Sequence, residues 1–296
     1  MKLSNARTHL GQLALLTAAL IWGTSFIIMK DAVDAIPIYL LLAIRFTIAA
    51  ILLGIIFLKR MRKLTLCMLG HGAVIGVLLF AAYVTQTIGL TGTTPGKNAF
   101  LTAVYCVLVP FLVWMLFGKR PTGWNWAAAV LCMTGIGLVS LDGDLTMGVG
   151  DAWTLLGGVF FSAHMVAVSR FGEKEDPVAL TVCQFAVAAA CSWLTSLAVE
   201  GAPAPIPSDA WFELLYLSFF ASAAAMLLQN VGQSMTPATS ASILLSFESV
   251  FGVFFSVLLG RETLTLQVTA GFIAIFVAVI ASETQFSFLR RQDRIA

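Results

Sequence analysis

The sequence predicts an all-α integral membrane protein with ten transmembrane helices arranged as two inverted five-helix repeats. Three observations carry this expectation. The first is composition: 59% of the 296 residues are hydrophobic and 11% charged, and the mean hydropathy is +0.93. Soluble domains have about 45–50% apolar and about 25% charged residues. No single core of this size hides so much apolar surface from water, so lipid must cover it. The second is a series of apolar runs near the roughly 20 residues that a spanning helix needs. The third is self-similarity between the halves. The composition argues against a nucleic-acid-binding protein and against an ordinary soluble enzyme.

Ten runs are expected, at residues 10–29, 37–58, 66–90, 97–117, 122–141, 150–169, 177–199, 210–233, 238–259 and 264–283. Lys30–Pro37, Lys59–Lys63, Gly118–Pro121, Asp142–Asp151, Glu173–Pro177 and Pro203–Pro207 separate them. The runs consume about two thirds of the chain at about 20 residues each, leaving short loops and no room for a soluble domain. The first run lacks a small-residue cleavage site and reads as a retained helix. Barrel strands, at about 9–11 residues, are too short to account for such runs.

Lys and Arg set the expected orientation. With the N-terminus inside, the cytoplasmic set is Lys2, Arg7, Lys59, Arg60, Arg62, Lys63, Lys119, Arg120, Arg170, Lys174, Arg290, Arg291 and Arg294. The opposite side carries Lys30, Lys97 and Arg261, and Arg45 lies within the second run. Both termini are therefore expected in the cytoplasm. Cys67, Cys106, Cys132, Cys183 and Cys191 fall in apolar segments without a metal-ligand spacing and read as small buried hydrophobes. His9, His71 and His164 read as too scattered for a metal site, and no zinc-protease, nucleophile-elbow or phosphate-loop pattern appears.

A shift of 139 aligns Gly11 with Gly150, Phe46 with Phe185, and Ala49-Ala50 with Ala188-Ala189. After a small insertion, Gln86 meets Gln229, Gly89 meets Gly232, Thr93 meets Thr236 and Pro95 meets Pro237. Further on, Ala99 meets Ala241, Leu116 meets Leu258 and Gly118 meets Gly260. Repeats of five spans each must run in opposite directions. Such inverted repeats around a midplane site typify secondary transporters.

Four segments carry a resemblance: AALIWGTSFIIMK (18–30), AIRF (43–46), NAFLTAVYCVLVPFLVWMLFGKRPTGWNW (98–126) and ASILLSFESVFGVFFSVLLGRETLTLQVTAGFIAIFVAV (241–279). The chain resembles EamA-type members of the drug/metabolite transporter superfamily over nearly its whole length. The resemblance implies two five-helix repeats and transport of a small organic solute, with substrates ranging over amino acids, organic cations, nucleotide-sugar-like solutes and drugs. It also implies an Arg at the position of Arg45. Family members often carry Pro where this chain has Ser249, which implies a straighter helix here.

Polar groups inside hydrocarbon are the candidate site, because a charge at the bilayer centre costs about 2.5–3.5 kcal/mol even on the lenient insertion scale. Arg45 and Glu248 are the deep charges. Glu248 has three roles open: binding a cation, carrying a coupling proton, or a structural bond to a hydroxyl or to Arg45. Arg45 reads as a scaffold or gate charge. Asn98, Thr102 and Tyr105 recur at i, i+4 and i+7 on one face, and Tyr83 and Gln86 stand at i and i+3. Gln229 is the repeat partner of Gln86, and Asn230 and Gln233 add polar content. Trp153, Gly157, Phe161 and His164 roughly share a face, with Trp22 corresponding to Phe161; Trp22 suits packing or the site equally. Taken singly, each amide reads first as interhelical glue worth about 0.6 kcal/mol, whereas Tyr83, Tyr105 and Gln86 together point to a cavity. His164 reads as a packing or gating residue.

The expected substrate-binding set is Trp22, Tyr83, Gln86, Asn98, Thr102, Tyr105, Gln229 and Glu248. An acid among rings suits an organic cation, each ring face attracting an ammonium by about 0.5–2 kcal/mol; a zwitterion would suit Glu248 with Arg45. The expected protein is an alternating-access carrier in a prokaryotic cytoplasmic membrane, with repeats at residues 1–145 and 146–296. Its expected partners are a small organic solute, membrane lipid, a coupling proton and a second copy of the chain, with no nucleic acid, cofactor or metal. An intramembrane enzyme or a non-coupled channel is the alternative.

Overall fold

In hydrocarbon each backbone N–H and C=O must bond within the chain, so long apolar runs fold as helices. The computed structural model describes residues 2–140, 147–172, 175–235 and 238–285. The first half contains α1 (Lys2–Ala35), α2 (Ile38–Ile56), the short α3 (Leu58–Met61), α4 (Leu66–Thr91), α5 (Pro95–Thr102), α6 (Tyr105–Phe117) and α7 (Gly123–Ser140). The second contains α8 (Val149–Gly172), α9 (Pro177–Thr195), α10 (Trp211–Tyr216), α11 (Ala225–Met235), α12 (Ala238–Leu258) and α13 (Leu266–Thr284). A π-helical turn, Ser196–Glu200, continues α9, and a second, Leu217–Ala224, joins α10 to α11. Among the described residues, eight spans are long and apolar enough to cross a membrane; Leu244–Leu258 and Leu266–Ser282 are shorter apolar helices. Lys174, Arg290, Arg291, Arg294, Thr236 and Pro237 lie outside the described residues, as do the side chains of Lys2, Arg7, Asn230, Gln233 and Ala241.

Local chemistry sets the ends. Thr65, Thr94 and Thr265 accept backbone N–H bonds at the starts of α4, α5 and α13, and Asp176 does so for α9. Pro95 and Pro177 follow their caps, where a missing N–H is harmless. Gly118 (φ 73°) and Gly260 (φ 68°), aligned in sequence, both take the left-handed conformation just beyond α6 and α12. The run expected at 97–117 is split at Ala103–Val104 into α5 and α6, and Pro110 lies inside α6. By contrast α12 is unbroken through Ser249.

Helix bounds follow the sequence offset. Shifting Ile38–Ile56 by 139 gives 177–195, the span of α9. The inter-half contacts also pair off: α4 lies against α8 as α1 lies against α11, while α2 packs on α9 and α7 on α13. Glycines bring the backbones together at these crossings. A Cβ on Gly89 would stand 2.8 Å from the Gly150 carbonyl oxygen, and one on Gly232 would stand 2.9 Å from that of Gly11. Gly135 and Gly271 do the same to each other, at 2.8 and 2.9 Å. Small residues allow this approach, and van der Waals packing then drives helix association in lipid.

An alanine at Gly135 or Gly271 must displace backbone, for which overpacking costs about 1–3 kcal/mol. Either substitution should lower the melting temperature in detergent. Gly123→Ala, where the added carbon meets nothing within 4 Å beyond its chain neighbours and its own helix backbone, should leave it unchanged.

Candidate functional site

One cavity of about 860 Å³ runs between the halves. Trp22, Arg45, Tyr83, Gln86, Asn98, Thr102, Tyr105, His164, Gln229 and Glu248 all line it. Phe161 lines it too, whereas Trp153 of the same expected face is 37% exposed on the outer surface. Gly157 instead packs its backbone on Gln86. Sequence reasoning missed Ser25, Thr87, Thr181 and Gln184. Small hydroxyls give little signal in a helix, since they can bond their own backbone. Gln184 could have been found, because it aligns with Arg45 at the 139 offset.

Arg45 is 2% exposed, and burial of that kind demands partners. Its Nε–H donates to Ser222 Oγ at 2.6 Å, and its guanidinium lies 4.7 Å from the Tyr83 ring centroid. Ser222 in turn donates to the Leu217 carbonyl, five residues back, at 2.9 Å. The Trp22 indole donates to the Ala221 carbonyl at 2.8 Å. The π-helical turn thus anchors two side chains from the first half. Irregular helical turns of this type are frequent at functional sites.

Glu248, 7% exposed, accepts a bond from the Tyr105 hydroxyl at 3.3 Å. Of the structural partners expected for it, a hydroxyl is present, and no ion pair joins it to Arg45 among the described residues. Tyr83 meets Phe46 and Phe161 edge-on at 5.2 and 5.4 Å, and Tyr105 lies 6.2 Å from Phe161. Gln86 donates to Thr102 Oγ1 at 3.0 Å. Asn98 donates to Thr154 Oγ1 at 2.7 Å and to the Gln86 carbonyl at 3.2 Å. These bonds join α4, α5 and α8, so both amides tie helices together as well as bordering the cavity. His164 pairs with Gln184 at 2.9 Å.

The cavity lining continues to Lys119, Arg170, Gly172 and Pro177 at helix ends. At the opposite helix ends charged side chains pair with one another or with backbone carbonyls. Lys30 donates to the Leu90 and Thr91 carbonyls at 2.9 and 3.1 Å. Lys97 pairs with Asp151 at 3.5 Å and Arg261 with Asp31 at 2.8 Å. Glu262 covers Gly96, and its Oε2 is buried with no hydrogen-bond partner among the described residues. Burial holds the Glu262 carboxyl above its usual range; bonding to Thr94 and the charge of Lys97 oppose that shift.

These features define a multi-pass membrane protein built around an internal chamber of solute size, and comparison with known proteins makes it a transporter. The chain belongs to the EamA-like transporter family, whose sequence profile matches residues 9–141 and again 148–283. It is 32% identical over 279 residues to an uncharacterized transporter of Archaeoglobus fulgidus, covering 91% of this chain and 85% of that one. It is 25% identical over 287 residues to the uncharacterized inner membrane transporter YedA of Escherichia coli K12, covering 93% and 91%. A solved crystal structure shares the fold with a TM-score of 0.65 at 21% identity, covering 93% of this chain and 97% of that chain.

A raised folded-state pKa means that Glu262 favours the fold when protonated, below its unfolded pKa. That contribution is lost as pH rises through the folded value. Glu262→Gln should therefore match the parent in acid and melt higher at neutral pH, by differential scanning fluorimetry. The opposite trend would show that the ionised carboxylate stabilises those helix ends.

Proposed function

We propose that this transporter carries a small organic solute with an amino or other cationic group by alternating access. The observation that carries the reading is that Glu248 and Arg45 border the same cavity without pairing to each other. The carboxylate, with Tyr83, Tyr105 and Trp22 around the chamber, suits a cation held by charge and ring faces. Arg45 would complement the carboxylate of a zwitterion such as an amino acid. The cavity volume of about 860 Å³ falls within the roughly 300–1,000 Å³ of small-molecule sites. Glu248 then either meets the substrate amine or exchanges it for a coupling proton.

The architecture in this reading is ten spans in two inverted repeats divided near residue 145, with the two shorter apolar helices counted as the ninth and tenth. Support comes from the double profile match, the shared offset of α2 and α9, and the exchanged glycine contacts. With both termini in the cytoplasm, the cavity opens inward past Lys119 and Arg170, and the ion pairs of Lys97 and Arg261 close the outer end. An end sealed by charge favours a carrier over an open channel, which needs a continuous polar path. No nucleophile–base pair borders the chamber among the described residues, so the enzyme reading has no comparable support.

A thermal-shift screen of the purified protein against amino acids, polyamines and quaternary amines should find a stabilising amine-bearing ligand. Glu248→Gln should weaken that ligand by about tenfold to a hundredfold, the equivalent of the roughly 1.5–3 kcal/mol of a charged hydrogen bond. Counterflow of the same compound in proteoliposomes should be lost in the variant. Hits confined to anions, or binding indifferent to the substitution, would sink the cation reading.

A further inference from the structure

Histidines and cysteines that are scattered along the sequence are brought together at one place by the fold. Cys67 is exposed at the start of α4 rather than buried, and His71 stands four residues later on the same helical face. The α8–α9 connection brings Glu175 to them across more than a hundred residues of sequence. His71 Nδ1 lies 3.2 Å from Glu175 Oε1, and Cys67 Sγ lies 3.8 Å from Nδ1. One ligand atom from each residue falls within 4.8 Å of the others.

We propose that Cys67, His71 and Glu175 form a binding site for a thiophilic divalent cation, with Zn²⁺ the best fit. Zinc bonds of about 2.0–2.1 Å to nitrogen or oxygen and about 2.3 Å to sulfur, at tetrahedral angles, require ligand atoms roughly 3.3–3.6 Å apart. The imidazole–carboxylate and thiol–imidazole separations already stand near that spacing, and the thiol and carboxylate lie within 4.8 Å of each other. Thiolate, imidazole and carboxylate together suit zinc rather than Mg²⁺ or Ca²⁺, which take oxygen sets.

The ligands are held in place by their surroundings. Thr65 Oγ1 accepts the Met68 N–H and fixes the first turn of α4 around Cys67. The His71 ring is stacked on Phe171 at 4.1 Å. Glu175 donates its N–H to the Phe171 carbonyl, and its neighbour Asp176 both caps α9 and pairs with Arg60 at 3.0 Å. Three protein ligands leave a fourth position for water or an incoming group. A bound ion would tie α4 to the α8–α9 connection beside Arg170, Gly172 and Pro177, at the cavity mouth.

The test uses the full chain, tag-free and stripped with chelator, titrated with Co²⁺ as a spectroscopic stand-in and then with Zn²⁺. Expected are one Co²⁺ per chain with a thiolate-to-cobalt charge-transfer band, displaced by Zn²⁺, and a higher melting temperature with Zn²⁺. Cys67→Ser should lose the band and bind at least tenfold more weakly. His71→Ala and Glu175→Gln should weaken binding, and Cys191→Ser should leave it unchanged. Elution and melting of the metal-free variants establish that they are folded. No stoichiometric binding by the parent, or a band that survives in folded Cys67→Ser, overturns the site.

Discussion

Backbone-to-backbone contact between the halves is the constraint on which this structure depends. Lipid offers no hydrophobic drive for one helix to leave it for another, so association rests on close packing. Gly11, Gly89, Gly135, Gly150, Gly232 and Gly271 provide it where α1 meets α11, α4 meets α8 and α7 meets α13. The same tight seams that hold the helices together leave the polar side chains between them to border one interior space. A chamber in this protein is the complement of its glycine crossings.

Two charges live in that chamber under different terms. Arg45 is satisfied by a hydroxyl and a ring face, both from helices that its own helix does not precede or follow directly. Glu248 accepts a bond from the Tyr105 hydroxyl. Neither neutralises the other. Their repeat counterparts are uncharged: Gln184 stands at the 139 offset from Arg45, and Cys106 at the 142 offset from Glu248. The duplicated frame thus carries a single set of charges, one from each copy.

Much of this was legible in the sequence because lipid is an unforgiving solvent. A Gln or Glu in an apolar run must turn inward, so choosing the polar residues of the runs chose the cavity lining. The resemblance to the family and the offset of the halves pointed to the helix order. What was hidden depends on local irregularity or on distance along the chain. The break at Ala103–Val104 leaves the i, i+4, i+7 spacing of Asn98, Thr102 and Tyr105 intact, so periodicity could not reveal it. Lys97–Asp151 and His71–Glu175 join loops and helix ends that no local pattern links. Trp153 went astray because it shares the face of His164 but lies about three turns away, near the start of α8 and past the stretch that borders the cavity.

The π-helical turn Leu217–Ala224 bears on the proposed carrier in energetic terms. Two identical repeats would give inward- and outward-open forms of equal free energy, each the image of the other. Here α4 is a regular helix through the equivalent stretch, while its counterpart holds Trp22 through the Ala221 carbonyl and Arg45 through Ser222. Exchange of the halves cannot reproduce those two bonds. In the proposed alternating-access cycle the two forms would therefore differ in free energy through the backbone itself, before any solute or gradient acts.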